Sequence, residues 1–352
     1  MRDDAPGAGP EVAPFEIAGE HIAPGRRATV NVPVSQLSDH TPVNLAVHVV
    51  HGKKPGPTMF VSAAIHGDEI IGVEIVRRLL GVDALEEMAG TLLAVPIVNS
   101  YGFMNHSRYL PDRRDLNRVF PGSERGSLAS RLAHIFMQEV VLRCEIGIDL
   151  HSAAIHRTNL PQIRVSSGNK HLMDLGKVFG APIVVVSSLR EGSLRGEAKE
   201  RGVDMLLYEA GEGLRFDETA VATGVGGILR VMAHLGMIEE MQERDIDSLI
   251  ANRSGWTRAP AGGLFRAFAH LGDTVAAGDV LGAISDPFGT AEEEVLADID
   301  GMIIGRANLP IVYEGDALFH IAKLTSEVPD ELAEHLAETY AGDRMADEDE
   351  II

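Results

Sequence analysis

Residues 15–56 alternate apolar and polar positions in short runs, such as "RATVNVPVS" and "VNLAVHVVHG", with Pro and Gly between them. A period of two predicts β-strands and hairpins. The pattern then changes. "TMFVSAAI" reads as a buried strand, and the apolar residues of "DEIIGVEIVRRLLG" fall at helical spacing. "TLLAVPIVN" reads as a strand and "SLASRLAHIFMQEVVLRC" as a long amphipathic helix opened by Ser127. "EIGIDLHS" is a strand, "NKHLMDLGKVFG" a helix, "PIVVVSS" and "DMLLYEAG" are strands, and "ETAVATGVGGILRVMAHLG" is a helix. Strands alternating with helices predict an α/β fold around a mixed, mostly parallel sheet flanked by helices.

From about Ala259 the texture becomes all-β and Gly-rich, with a weak internal repeat. "GDVLGAI" echoes "GDALFHI", and "GGLFRAFAHLGDTV" echoes "DGMIIGRANLPIV". Two similar β halves predict a small pseudo-symmetric sandwich, which resembles the biotinyl/lipoyl-like hammerhead. Carriers of that kind bear a lysine in the hairpin between the halves. Here that region reads "EEEVLADIDGMI", without lysine, so a swinging-arm role is excluded and a cover or specificity wall is expected. The expected organisation is a disordered tail over 1–14, an α/β domain with an N-terminal β extension over 15–250, a small all-β domain over 258–325 and an acidic tail over 326–352.

Composition narrows the function classes. The 352 residues are 45% hydrophobic, enough for one large core and a smaller one. The lone cysteine, Cys144, excludes an internal disulfide and a cysteine-rich metal site, and fits a reducing compartment. The N-terminus lacks the apolar stretch of a signal peptide, and no run approaches the ~20 apolar residues that cross a bilayer. A cytoplasmic protein is expected. The formal net charge of −21 argues against nucleic acid and anionic membrane as partners. Against that background "RYLPDRRDLNR" gathers Arg108, Arg113, Arg114 and Arg118. It reads either as a binding loop for a small anion or as a solvated loop with its own Asp partners.

Three polar clusters fall where strands end, the place at which α/β sheets gather ligands. His66, Asp68 and Glu69 follow "TMFVSAAI", His151 closes "EIGIDL" and Glu209 closes "DMLLY". A turn that opens a helix aims His66 and Glu69 at one point. Two histidines and a carboxylate make a familiar open zinc set, with water in the fourth position. A separate glutamate is then free to act as a base. A metal-free acid–base pair of His151 and Asp149 is the alternative on these residues alone. No GxSxG elbow, Walker loop or GxGxxG after a strand competes.

In order along the chain, "HGDE", "DLNR", "DLHS" and "YEAGEG" resemble the succinylglutamate desuccinylase/aspartoacylase family, over roughly residues 56–322. That resemblance implies a zinc-carboxypeptidase-like fold and one zinc ion per subunit, held by His66, Glu69 and His151. It implies that Asp115 accepts a hydrogen bond from His66 and fixes its tautomer. Asn117 and Arg118 would hold a substrate carboxylate, Glu209 would be the general base and Arg108 would polarise the scissile carbonyl. Spacing in this loop is longer than the family's, which leaves Arg113 and Arg114 as alternatives to Arg108. Arg195 in "GSLRGEA" resembles a further substrate-binding arginine, and Tyr313 a tyrosine that closes over the substrate. The implied activity is deacylation of a small, anionic N-acyl amino acid, in a chain that can self-associate. A carboxypeptidase that trims peptide C-termini is the second reading, and a non-catalytic binding protein the third. Side-chain specificity is assigned to loops such as "SAAIHRTNLPQIR", where His156 is a solvated residue or a substrate contact.

Overall fold

The structure is a computed structural model that describes residues 12–240 and 248–339. The short strands β1 (Phe15–Ile17) and β2 (Glu20–Ile22) pair with each other. β3 (Arg26–Gln36) and β4 (Pro42–His51) then open the main sheet, followed by β5 (Lys54–Ala63), α1 (Ile71–Leu79) and β6 (Ala89–Val95). The short helix α2 (Ser100–Met104) and the long α3 (Leu128–Glu139) follow. Ser127 caps α3 as expected, accepting from the Ser130 amide. Next come β7 (Ile146–His151), β8 (Arg157–Val165), α4 (Lys170–Phe179), β9 (Ile183–Val186), α5 (Leu194–Glu200), β10 (Asp204–Gly211) and α6 (Glu218–His234). Asn169 caps the start of α4 and Gly180, at φ 73°, ends it.

The last third of the chain contains β11 (Leu249–Arg258), β12 (Gly263–Ala267), β13 (Thr274–Val275), β14 (Val280–Ser285), β15 (Glu292–Leu296), β16 (Gly301–Ala307), β17 (Ile311–Val312), β18 (Ala317–Leu324) and α7 (Asp330–Thr339). The expected repeat is visible in the pairing. β12 pairs with β14 as β16 pairs with β18, and the short strands cross over, β17 onto β12 and β13 onto β16.

Among the described residues, twelve strands form one sheet in the order β13-β16-β18-β11-β9-β8-β10-β7-β5-β6-β4-β3, while β15-β14-β12-β17 form a separate four-stranded sheet. The main sheet is mixed. Its parallel stretches are β10-β7-β5-β6 and β8-β9-β11, joined through the antiparallel pair β8–β10. β16 also pairs with β8. The strands β8, β9, β11, β18 and β16 therefore form a closed circuit of pairings. Leu160, Ile183, Val185, Ala251, Ile303, Phe319 and Ile321 from these five strands bury together in one apolar cluster.

The structure bears on three parts of the expected organisation. The sheet does not stop at a boundary near residue 258, because β11 runs from Leu249 to Arg258 and pairs with both β9 and β18. Of the expected acidic tail, residues 330–339 form a helix with Leu332 and Leu336 buried, and 340–352 lie outside the described residues. Residues 12–14 of the expected N-terminal tail are described, and 1–11 are not. The N-terminal extension forms the far edge of the sheet and packs against α3 through Ile17, Val30 and Val32, away from the strand ends that matter below. Among the described residues, no helix is long and apolar enough to cross a membrane.

Candidate metal centre and its cavity

β5 and β7 lie side by side and parallel, so their carboxyl ends deliver the His66 loop and His151 to one place. After β5 the chain turns sharply. Ala64 has φ 52°, a left-handed conformation that a non-glycine residue takes only when its surroundings hold it. The fully buried Asn99 supplies part of that hold. Its amide donates to the Ile65 carbonyl, and its oxygen accepts from Gly102 at the start of α2. α2 comes so close that a Cβ on Gly67 would stand 1.9 Å from the carbonyl carbon of Gly102. Only glycine fits between the two chemical groups of the "HGDE" turn and α2.

Ligand atoms of His66, Glu69 and His151 lie within 4.8 Å of one another, and all three residues are buried. Glu69 spans the pair, with Oε1 2.7 Å from His66 Nδ1 and Oε2 2.7 Å from His151 Nδ1. The opposite ring nitrogens are each tied to an aspartate. His66 Nε2 lies 3.1 Å from Asp115 Oδ1, and His151 Nε2 lies 2.7 Å from Asp149 Oδ2. Each aspartate is anchored in turn, Asp149 by the Ser62 hydroxyl and Asp115 by the Asn117 amide and Arg108. A carboxylate behind an imidazole fixes its proton on that side and leaves the other nitrogen as a ligand. The donor set thus suits a divalent metal, with two nitrogens and one carboxylate converging and both rings pre-oriented.

The electrostatics agree with a site built for a cation. Burial pulls the imidazoles down, but Glu69 with Asp115 holds His66 above its ordinary value, and Asp149 with Glu69 holds His151 well above it. Burial pushes Glu69 up, and the two imidazoles overcome it and hold the carboxyl well below the usual range.

These residues line a cavity of about 540 Å³. Arg108, Asn117, Arg118, Arg195 and Glu209 line it too, so the structure gathers all but one of the expected active-site side chains in or directly behind one cavity. Asn117 uses its oxygen to accept from the Leu194 amide, which locks the loop before α5 against "DLNR". Arg195 is pushed down to about 10 by burial and by the neighbouring Arg164, and it donates to Ser187. Of the three arginines considered for the carbonyl role, only Arg108 lines the cavity, with Nη1 3.0 Å from Glu69 Oε1. Arg113 is exposed, and Arg114 turns toward Asp112 at 3.8 Å. The "RYLPDRRDLNR" loop thus lines the cavity at its two ends, with Arg108 and Arg118, and is a solvated turn in its middle.

Tyr313 lies outside the cavity in this structure. It is 76% exposed, follows the edge strand β17 and is absent from the cavity lining. The wall on that side comes from other strands, β11 with Trp256 and β18 with His320. Those two rings stack at 4.7 Å, and Arg157 of β8 covers the indole at 5.2 Å. Burial and Arg164 push His320 down to about 3, so this imidazole is neutral near neutrality. His156 is exposed and outside the cavity. Sequence reasoning missed Asn159 and Arg164, which both contact Glu209, because β8 was taken for a loop.

Comparison with known proteins assigns the class that this fold and cavity define. A family model described as the succinylglutamate desuccinylase/aspartoacylase catalytic domain matches residues 55–235, and the chain belongs to that family of deacylating hydrolases. A curated relative, the N-alpha-acetyl-L-2,4-diaminobutyric acid deacetylase of Halomonas elongata, is 27% identical over 287 residues, 78% of this chain and 84% of that protein. Among solved structures, a succinylglutamate desuccinylase/aspartoacylase from Rhodobacter sphaeroides superposes with a TM-score of 0.75 at 27% identity, covering 85% of this chain and 95% of the other. The product-bound ectoine utilization protein EutE (DoeB) from Ruegeria pomeroyi gives 0.75 at 25% identity, covering 84% and 94%.

Proposed function

We propose that this chain is a zinc-dependent deacylase that releases the acyl group of a small, anionic N-acyl amino acid. The convergence of His66, Glu69 and His151, each histidine backed by an aspartate, carries the reading. One zinc ion per subunit would be held by those three residues, on a zinc-carboxypeptidase-like scaffold. When bound, zinc supplies a water with a pKa of about 7 and a Lewis acid for the carbonyl. The protein's own groups do the rest. Glu209 takes the proton of the attacking water and returns it to the leaving amine. Arg108 donates to the oxygen that gains charge. Asn117 and Arg118 orient the substrate through a carboxylate, for which a guanidinium fork is suited.

The lining also supports a choice among N-acyl amino acids. Arg108, Arg118, Arg157, Arg164, Arg190 and Arg195 face the cavity. The lining carboxylates are already engaged, Glu69 and Asp149 by the imidazoles and Glu209 by Asn159 and Arg164. Among the described residues, six guanidiniums face three carboxylates in this lining, a balance that disfavours a substrate ammonium. The chain is therefore proposed to prefer N-acyl aspartate or glutamate over N-acetyl-2,4-diaminobutyrate, the compound named for the Halomonas relative. The single buried thiol is in keeping with work in the cytoplasm.

The test combines metal analysis with a panel of N-acetyl and N-succinyl amino acids, that relative's substrate and short peptides. The expected result is about one zinc per chain and fastest turnover of an acidic N-acyl amino acid. Glu209→Gln should retain zinc while kcat falls by about 10²–10⁴. Release of C-terminal residues from peptides would establish the carboxypeptidase reading instead. A chain that binds no zinc and cleaves nothing on the panel refutes both.

A further inference from the structure

We infer that Asn159 is a positioning residue for Glu209, and that Gly305 on β16 makes the room Asn159 needs. The inference builds on the proposed role of Glu209 as base. Asn159 is buried, and its Nδ2 donates to Glu209 Oε2 at 2.7 Å. Arg164 Nη2 reaches the same oxygen at 3.3 Å. Among the described residues Oε1 accepts no hydrogen bond, so both donors grip one oxygen and leave the other for a proton. A carboxylate held in this way cannot turn without losing both bonds.

Both donors come from β8, five positions apart on a strand held along both edges. On one edge β10 pairs with it, and the register breaks between Glu209 and Gly211, at the base itself. Such irregularities re-aim side chains beside active sites. On the other edge β16 sets Gly305 opposite Asn159. A Cβ on Gly305 would stand 2.8 Å from Asn159 Oδ1 and 3.2 Å from His320 Cβ. The fully buried Gln162 ties the strands further, donating to the Ile304 carbonyl, and Asn308 donates to the Thr158 hydroxyl. The C-terminal strands thus do more than wall the cavity: they seat the residue that aims the base.

The experiment compares Asn159→Leu, Asn159→Asp and Gly305→Ala with the wild type, as full-length zinc-loaded protein. Each is followed by zinc content, Tm, kcat and KM on the best substrate of the panel. Asn159→Leu is expected to lower kcat by about 10² with little change in KM or zinc content, as for a misplaced catalytic group. Asn159→Asp is expected to be worse than Leu, because it sets a second carboxylate against Glu209. A mere packing role reverses that order, since Asp has the shape of Asn. Gly305→Ala, which removes no polar group but crowds Asn159, should lower kcat in the same sense. Equal kcat for Asn159→Leu and wild type, or Asp outperforming Leu, overturns the inference. A crystal structure of Asn159→Leu decides the matter separately from turnover. A displaced Glu209 carboxylate supports positioning, and an unmoved one refutes it, even if the wild type hydrolyses no N-acyl amino acid and the deacylase reading falls.

Discussion

Glu69 is the residue on which the centre turns, because one carboxylate spans both imidazoles. Arg108 is next, since a single guanidinium reaches Glu69 and the Asp115 behind His66. Burial among carboxylates distinguishes it from the arginines that follow in the same loop. Arg108→Ala is expected to cost about 10²–10³ in kcat, the range for losing one donor to a developing oxyanion. Arg113→Ala, Arg114→Ala and Tyr313→Ala should leave kcat/KM unchanged. Steady-state kinetics on the same substrate separates the two groups. A large loss at Tyr313 would mean that β17 and its neighbours move over the cavity when substrate binds.

At the scale of elements, the turn between β5 and α1 does most to make the site. Gly67→Ala forces a methyl group into the backbone of α2. It is expected to lower stability by about 1–3 kcal/mol, as overpacking does, and to weaken zinc binding along with it. Denaturant midpoints with metal titration would test this, and a stable variant with normal zinc affinity would contradict the packing described. The same turn was legible in the sequence, because a buried apolar strand passing into an amphipathic helix is a strong local signal. β7, β10, α3 and α4 were legible for the same reason, and with them His151 and Glu209. β8 was not. Pro161 sits inside it, and Asn159, Gln162 and Arg164 interrupt its apolar residues, so "RTNLPQIRV" lacks the pattern of a buried strand. The alternation of Ile163, Arg164 and Val165 was its one local trace. The wall residues Trp256 and His320 escaped for another reason. Their place depends on pairing between strands distant in sequence, which no local pattern encodes.

At the scale of the molecule, charge is distributed unevenly. The chain is formally −21, yet six arginines face one cavity. The anionic substrate proposed for this chain would approach through a repelling field and be held by a local attracting one. Salt screens charges more than about 10 Å apart at 0.1 M, and close, partly buried contacts much less. The local arginine contacts should dominate, so KM for a dianionic substrate is expected to rise with NaCl while kcat stays level. Initial rates across a salt series measure it. A KM that falls with salt would show that repulsion by the acidic exterior outweighs the cavity.

The closed circuit of β8, β9, β11, β18 and β16 carries a practical consequence. A chain cut after residue 250, where sequence texture invites a cut, loses β16, β18 and nearly all of β11. What is left is β8 and β9 with bare, unpaired margins of the kind that recruit other chains. The shortened protein should come out of expression as aggregate rather than as a smaller enzyme, because the two stretches of sequence share a single folding unit.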